Sequence, residues 1–420
     1  MWLASVLEWA AAVCMALSVP LMLWQLGVGI MGLFSVRKLR KLEDKTYRFA
    51  VVSCARNEEA VIGQLLDSLQ NQRYPRECFD LFVIADNCTD DTAAVARKHG
   101  AIVLERQDKG HIGKGYALRW AFERIIGRWG DRYDAVVLFD ADNLADPDFL
   151  LQTNEALCSG ADVTQGYRAG KNPDASWVSG CYTLYWLGLM RFFYCARRNW
   201  GLSAQVGGTG FAFKTAAIRG DGWNTTTITE DGEFSVQQIL AGNRIVPVRE
   251  AVFYDEQPVT FAMSLRQRHR WVIGGMQIAR RYLKEAFRCF ARGNWSALDA
   301  AMYMLLLPAL GLGTLFGAAG TIASALHAMT APAAAVGFGA SFLLGFLAIQ
   351  GIALLTALLE RVPIKKMWKS VLLFPVFCCP CPIWRWWRFS GRRRSGSPSP
   401  IPIGGRFPMF PAVGADGWAE

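Results

Sequence analysis

Between residues 49 and 139, short apolar runs alternate with segments whose apolar positions recur at helical spacing. The runs FAVVSC (49–54), DLFVIA (80–85), 101–104 and AVVLF (135–139) are apolar at nearly every position, not at alternate ones. A strand reads this way when both faces of its sheet are covered. The intervening segments 60–70, 90–99 and 115–126 read as helices. The pattern therefore predicts an α/β fold with a mostly parallel sheet and helices on both faces. Such sheets bind ligands at the carboxyl ends of their strands. Asp86 and Asp140 each follow directly on a predicted strand.

Two longer apolar runs flank this region. Residues 9–36 and 300–359 contain no Asp, Glu, Lys or Arg. A membrane-spanning helix needs about 20 apolar residues, so the first run fits one span and the second two, with a short external loop near His327–Pro332. The first run is too long for a signal-peptide core and lacks a basic start, which predicts a retained anchor. Arg37, Lys38, Arg40, Lys41, Lys45 and Arg48 follow the first run, and Arg361, Lys365, Lys366 and Lys369 follow the second. The bias of basic residues toward the inner side of a membrane places the region between the runs in the cytoplasm. The expected location is thus the cell membrane of a bacterium, multi-pass, with a cytoplasmic catalytic domain. The chain divides into an anchor (1–36), a globular α/β domain (48–260), amphipathic interface helices (261–296), two spans (300–359), a short apolar re-entrant segment (363–384) and a basic tail (385–420). The tail is rich in Arg, Gly, Pro and Ser and reads as disordered.

Composition sharpens this picture. The 420 residues are 52% hydrophobic and only 19% charged, against about 25% charged in a typical soluble domain. That excludes disorder for most of the chain. The net charge of +10 could point to nucleic acid, but much of the excess sits at the ends of the apolar runs and in 261–292. Anionic membrane lipids explain it better, and no nucleic-acid partner is expected. Eleven cysteines are scattered; no pair of Cys-x-x-Cys motifs occurs, so no zinc site is expected. Gly27-Val28-Gly29-Ile30-Met31-Gly32 has dinucleotide-loop spacing but lies in an apolar run, where helix packing is the better reading.

Three polar clusters carry the chemistry. Asp140-Ala141-Asp142 places two carboxylates at a strand end, where both can approach one hard divalent cation; the alternative is a capped turn. Thr229-Glu230-Asp231 precedes an apparent helix at 233–240, and its alternative role is to cap that helix and complement its dipole. Gln267-Arg268-His269-Arg270-Trp271 combines hydrogen-bond donors with an indole. Arg suits phosphate and a Trp face suits a sugar ring; the alternative is a membrane-interface helix with snorkelling Arg and an anchoring Trp.

In order, these clusters resemble glycosyltransferase family 2, in particular its membrane-embedded branch of hyaluronan, cellulose and poly-N-acetylglucosamine synthases. The matching pieces also include Ala55-Arg56-Asn57-Glu58-Glu59, Ala85-Asp86-Asn87-Cys88-Thr89-Asp90, Gly113-Lys114-Gly115 and Gly207-Gly208-Thr209-Gly210. The resemblance implies a GT-A (Rossmann-like) domain. It implies that Asp86 and Glu58 bind uridine, that Lys114 contacts the nucleotide, and that Asp140 and Asp142 hold the sugar nucleotide and a Mg2+ or Mn2+ ion. Asp231, beside Glu230, would be the general base. Gln267, Arg270 and Trp271 would bind diphosphate and acceptor sugar, and Gly207, Gly208, Thr209 and Gly210 would line the acceptor site. The implied reaction is inverting transfer from a nucleotide-sugar, a UDP-sugar, to a growing polysaccharide or other glycan; the alternative is a single addition to a lipid-linked acceptor. Individually, Glu58 could instead cap a helix, Lys114 could be a surface lysine and the Gly207–Gly210 run a simple turn. The tail after Phe377 departs from the family's apolar-then-basic ending. A change of reading frame there would account for it and would leave a catalytically impaired homologue.

Overall fold

The computed structural model describes residues 2–129, 132–220, 222–306, 308–309 and 331–378. Four parallel strands form its first half: β1 (Phe49–Ala55), β2 (Phe79–Asp86), β3 (Ile102–Arg106) and β4 (Ala135–Asp140). They alternate with α2 (Ile62–Gln70), α3 (Thr92–Lys98) and α4 (Lys114–Trp129), following α1 (Trp2–Ile30). The rest of the domain comprises β5 (Leu144–Ala145), α5 (Phe149–Cys158), β6 (Val163–Gly170), α6 (Trp177–Gly188), α7 (Ala196–Trp200), β7 (Phe211–Lys214), α8 (Glu230–Leu240) and β8 (Ile245–Asp255). Beyond it lie α9 (Phe261–Ala291), α10 (295–306), α11 (Ala331–Leu359) and α12 (Ile364–Cys378).

The eight strands form one sheet in the order β3-β2-β1-β4-β7-β6-β8-β5. Buried side chains pack against both faces. Ala117, Leu118, Phe122, Trp223 and Phe234 lie on one side, and Ile62, Leu65, Leu66, Phe149 and Leu150 on the other. This is the two-faced burial that the apolar runs at β1, β2 and β4 require; β3, at the edge of the sheet, departs from it and leaves Ile102 exposed and Val103 and Leu104 half-buried. The register sets the carboxyl ends of β1, β2 and β4 side by side, with Cys54 opposite both Ile84 and Asp140. The segments beginning Arg56, Asn87 and Ala141 therefore leave the sheet at one edge.

The second half departs from the expected parallel arrangement. β7 is antiparallel to both β4 and β6, and β5 is antiparallel to β8. The reason lies in how the chain reaches β7. The helix begun by α6 continues through a π-helical stretch (Leu189–Cys195) into α7, which ends at Gly201. Residues 202–210 then run along the edge where β1, β2 and β4 end, so β7 enters the sheet at the carboxyl end of β4, with Phe211 opposite Leu138. The reversal delivers Gly207–Gly210 to Asp140.

Outside the sheet, α1 exposes Trp9, Leu17, Leu23 and Leu26, and its segment Ala12–Leu33 is long and apolar enough to cross a membrane. The apolar helix Leu343–Leu359 is shorter. Close approach explains the glycines at the end of α1. A Cβ at Gly32 would stand 2.6 Å from the carbonyl oxygen of Arg191, and one at Gly29 3.5 Å from that of Phe192. Two buried ion clusters tie these helices to the domain. Arg197 bonds Asp299 at 2.6 Å, and Asp299 also accepts from Trp24 at 2.8 Å. Glu360 is held by Arg191 at 2.5 Å, by Arg249 at 2.8 Å and by the Tyr167 hydroxyl at 2.8 Å. Residues 327–330 of the expected break near His327–Pro332, the Gly313-x-x-x-Gly317 spacing that suits close packing of spans, and the tail from 379 onward lie outside the described residues, and α11 already includes Ala331 and Pro332.

Candidate active site

The acidic residues, Lys114 and the glycine run singled out in the sequence gather at the edge where β1, β2 and β4 end, while Gln267, Arg270 and Trp271 lie on α9. After β1 the chain turns through Asn57, whose φ of +58° lies in the left-handed region. The Asn57 side chain accepts from the Thr89 amide at 2.8 Å, locking this turn to the one after β2. Glu58 donates its own amide to Thr92 Oγ1 at 2.8 Å, and α2 begins at Ile62 with no side-chain cap. The Glu58 carboxyl thus does not cap the helix. Burial, then the neighbouring Asp140, Asp90 and Glu256, push its pKa up to about 7. Asp86 is buried and accepts on Oδ1 from Arg106 at 2.6 Å and from Asn87 at 2.9 Å.

Lys114 is not a surface lysine. Its ammonium donates to Asp140 Oδ1 at 2.5 Å and to the Gly208 carbonyl at 2.7 Å, and lies 3.8 Å from Glu230 Oε1. Burial alone would lower its pKa, but Asp140 and Glu230 outweigh burial and raise it, so the ammonium stays charged. One cation thus joins the Asp-x-Asp motif, the glycine run and the Thr-Glu-Asp motif. The geometry needs glycine at 115, where a Cβ would meet Thr225 Oγ1 at 3.1 Å and the Glu230 Cβ at 3.4 Å.

The glycine run is more than a turn. Thr209 Oγ1 accepts from the Asp140 amide at 2.8 Å and donates to Asn143 Oδ1. Asn143, fully buried, donates to Asp142 at 3.1 Å and to Asp255 at 2.7 Å. Gly208 has φ +86°, and a Cβ there would stand 3.3 Å from Asp231 Oδ2. Gly210 has φ +61° and presses on the Phe253 ring.

Glu230 and Asp231 open α8, three residues earlier than the apolar spacing predicts. Glu233 fixes that start by accepting from the amides of Thr226 and Thr227, each at 2.6 Å. The Thr229 hydroxyl makes no cap; it faces Gly274 of α9, which leaves room for it by lacking a Cβ. Burial, opposed by Lys114, pushes Glu230 up to about 7. Burial also raises Asp231, against the Gly232 amide and the charges of Lys114 and Arg168.

Trp271 lies stacked on Tyr185 at 6.1 Å and edge-on to Trp186 at 5.7 Å, a packed aromatic floor and not a free interface anchor. Arg270 is exposed, while Gln267 is half-buried with its Oε1 lacking a partner among the described residues. No direct contact joins these two to the acidic groups among the described residues.

Asn143, Arg168 and Asp255 belong to the site although no motif contains them. Asp255 could have been found, since it ends the apolar run IVPVREAVFY as Asp86 and Asp140 end theirs. Nothing local marks Arg168.

A divalent cation suits this donor set. Burial and the neighbouring Asp255, Asp140 and Glu58 push the Asp142 carboxyl well above the usual carboxylate range. Four carboxyl groups, those of Asp142, Asp140, Asp255 and Glu58, thus crowd one edge, where a bound cation would offset both the burial and the repulsion. Among the described residues no three His, Cys, Asp or Glu side chains converge to hold an ion unaided. That fits Mg2+-type binding by one or two carboxylates completed by substrate phosphates.

Comparison with known proteins bears on the whole arrangement. Residues 47–274 match the family described as glycosyltransferase like family 2. A probable glycosyltransferase of Bacillus subtilis is 24% identical over 60% of this chain and 61% of its own length. A beta-monoglucosyldiacylglycerol synthase of Nostoc is 28% identical over 62% of this chain and 56% of its own. The match therefore spans less than two thirds of these relatives. A mannosyltransferase of Pyrobaculum calidifontis, solved with GDP-mannose and Mn2+, shares the fold at 17% identity and a TM-score of 0.51, over 87% of this chain and 97% of that one. With the mixed GT-A sheet and the family match over more than half its length, the chain belongs to glycosyltransferase family 2.

Proposed function

We propose that the chain is a membrane-anchored transferase that moves a sugar from a nucleotide-sugar, a UDP-sugar, to a glycan or lipid-linked acceptor with inversion at the anomeric carbon. The observation that carries this reading is the Lys114 ammonium, which ties Asp140, Gly208 and Glu230 into one site beside the buried Asp231. Asp231 accepts the proton of the acceptor hydroxyl as its oxygen bonds to the anomeric carbon. The bond from that carbon to the diphosphate breaks, and the electron pair leaves on the nucleoside diphosphate. One base and one in-line displacement invert the centre. Lys114 stabilises the negative charge that develops on the leaving group. Asp142 and Asp140 would hold Mg2+ or Mn2+, which supplies further charge neutralisation there. Glu58 and Asp86 border the nucleotide side, and Gly207–Gly210 with Trp271 border the acceptor side. The apolar helices and the basic segments beside them suit a cytoplasmic domain held at an anionic lipid surface.

The Gln-x-x-Arg-Trp motif supports polymer synthesis, as in the membrane-embedded branch. The Nostoc relative, named for glucosylating diacylglycerol, supports a single addition to a lipid. Incubating the membrane-bound protein with a panel of labelled UDP-sugars, with Mg2+ or Mn2+, and sizing the products separates the two. Replacing Asp231 with Asn should lower turnover about 10²- to 10⁴-fold, the usual worth of a general base, while UDP binding persists. Unchanged turnover refutes the base assignment.

A further inference from the structure

Lys114 faces the candidate site from α4. Arg168 faces it from β6 on the far side of Gly207, and the residue is almost wholly buried, at 8% exposure. Withdrawing a guanidinium from water is costly unless partners replace the lost hydration. Among the described residues Arg168 has a hydrogen bond, an ion pair and two ring contacts, the farther ring being that of Phe253; the other three partners lie in different parts of the site. One terminal nitrogen donates to the Gly207 carbonyl. The other lies 3.5 Å from Asp255 Oδ2; Asp255 is joined through Asn143 to Asp142. The flat face of the guanidinium covers the Trp186 indole at 3.8 Å, and Trp186 meets Trp271 edge-on. A Cβ at Gly207 would stand 3.6 Å from both Arg168 and Trp186, and 3.2 Å from the Tyr194 hydroxyl, so the strap is held closely at this point.

We propose that Arg168 is a positioning residue of the transfer reaction: its planar fork and face fix the Gly207–Gly208 strap against Asp231 and the Trp186 indole against Trp271, so that the acceptor hydroxyl is held in line with the base. This rests on the reading of Asp231 as base and of the Trp271 side as the acceptor side. Arg168 touches neither the Asp140–Lys114 pair nor Glu58 and reaches Asp142 only through Asp255 and Asn143, so the nucleotide side depends on it far less than the acceptor side does. The role needs arginine. A lysine carries the charge but offers neither two divergent donors in one plane nor a flat face for the indole.

The test uses the full chain in membranes or detergent, with whichever labelled UDP-sugar supports turnover. Arg168→Lys and Arg168→Met are each compared with the unaltered protein for UDP affinity, for transfer to the acceptor, and for hydrolysis of the donor by water. Misplacing a reacting group by about 1 Å costs on the order of 10²-fold. Both variants should therefore lose transfer by about that factor while UDP affinity stays within about twofold and donor hydrolysis falls far less. A purely structural role would lower all three together, and loss of UDP binding in both variants overturns the proposal. Wild-type transfer in Arg168→Lys also overturns it, because charge alone would then suffice. Failure of the underlying reading shows separately, as undiminished turnover in Asp231→Asn.

Discussion

Replacing Gly208 with Ala separates backbone strain from displacement of Asp231, the proposed base. Gly208 sits at φ +86°, and an L-residue in that region costs about 1–2 kcal/mol. Part of this is offset because alanine also restricts the unfolded chain, by about 0.4–1 kcal/mol. A net loss near 1 kcal/mol lowers Tm by about 2–4 °C in a domain of this size. The second effect is local. The new Cβ would stand 3.3 Å from Asp231 Oδ2, tighter than an ordinary contact, so strap or carboxylate must retreat by a few tenths of an ångström. A shift of about 1 Å costs on the order of 10²-fold, so this smaller one should cost about tenfold, or about 1.4 kcal/mol in the barrier. Gly201 is the control. Its φ is +78°, but nothing lies within 4 Å of the Cβ it would gain. Gly201→Ala should therefore share the loss in Tm and keep its turnover. The assay is initial-rate transfer from a labelled donor, with thermal melts and UDP affinity measured on the same preparations. Equal turnover in the two variants, at equal Tm, would refute the idea that the strap presses on the base.

Other consequences follow from the same contacts. Lys114→Met removes the cation between Asp140 and Glu230 and should lower kcat by about 10²–10³-fold, the cost of losing one charge-stabilising group; initial rates at saturating donor check this. Trp223 is buried and stacks on Phe234 at 4.6 Å and edge-on to Phe122 at 5.5 Å; Trp223→Ala should destabilise by about 3–5 kcal/mol and Trp223→Phe far less, read by denaturant unfolding of the purified protein. Glu58 and Glu230 have pKa values raised to about 7 from 4.5. The folded state therefore binds more protons than the unfolded chain, and their contribution to stability is present below about pH 4.5 and lost as pH rises through 7. Tm of the nucleotide-free protein should fall between pH 5.5 and 7.5, and Glu58→Gln with Glu230→Gln should flatten that slope; an unchanged slope counts against the burial of these carboxyls.

Much of the fold was legible in the chain because burial on both faces leaves a local mark. The apolar runs at β1, β2 and β4 are internal apart from the half-buried Cys54 and Asp80, and each can be recognised without knowing its neighbours. The same runs show where Asp86 and Asp140 must emerge, since a carboxylate cannot continue a strand buried on both sides. Glycines at 29 and 32, read as helix packing, do allow α1 to approach the Leu189–Cys195 segment. Long charge-free runs are equally local, and the segment Ala12–Leu33 is long and apolar enough to cross a membrane.

The tertiary structure alone decided what these pieces do together. Lys114 and Gly208 are 94 residues apart, and Asn143 and Asp255 are 112 apart. Both meetings depend on β7 entering the sheet in reverse between β4 and β6, a choice of register and direction that no short segment encodes. Glu230 joined the first turn of α8 because Glu233 captures two amides and α9 crosses tightly at Gly274, although apolar spacing placed the start at 233. Arg168 left no trace in the sequence, because an arginine on a strand looks the same whether it faces water or lies buried under an indole. Sequence pattern determines which elements form and where charge leaves them. Packing across the sheet determines which of those charges meet, and it is their meeting that makes a site.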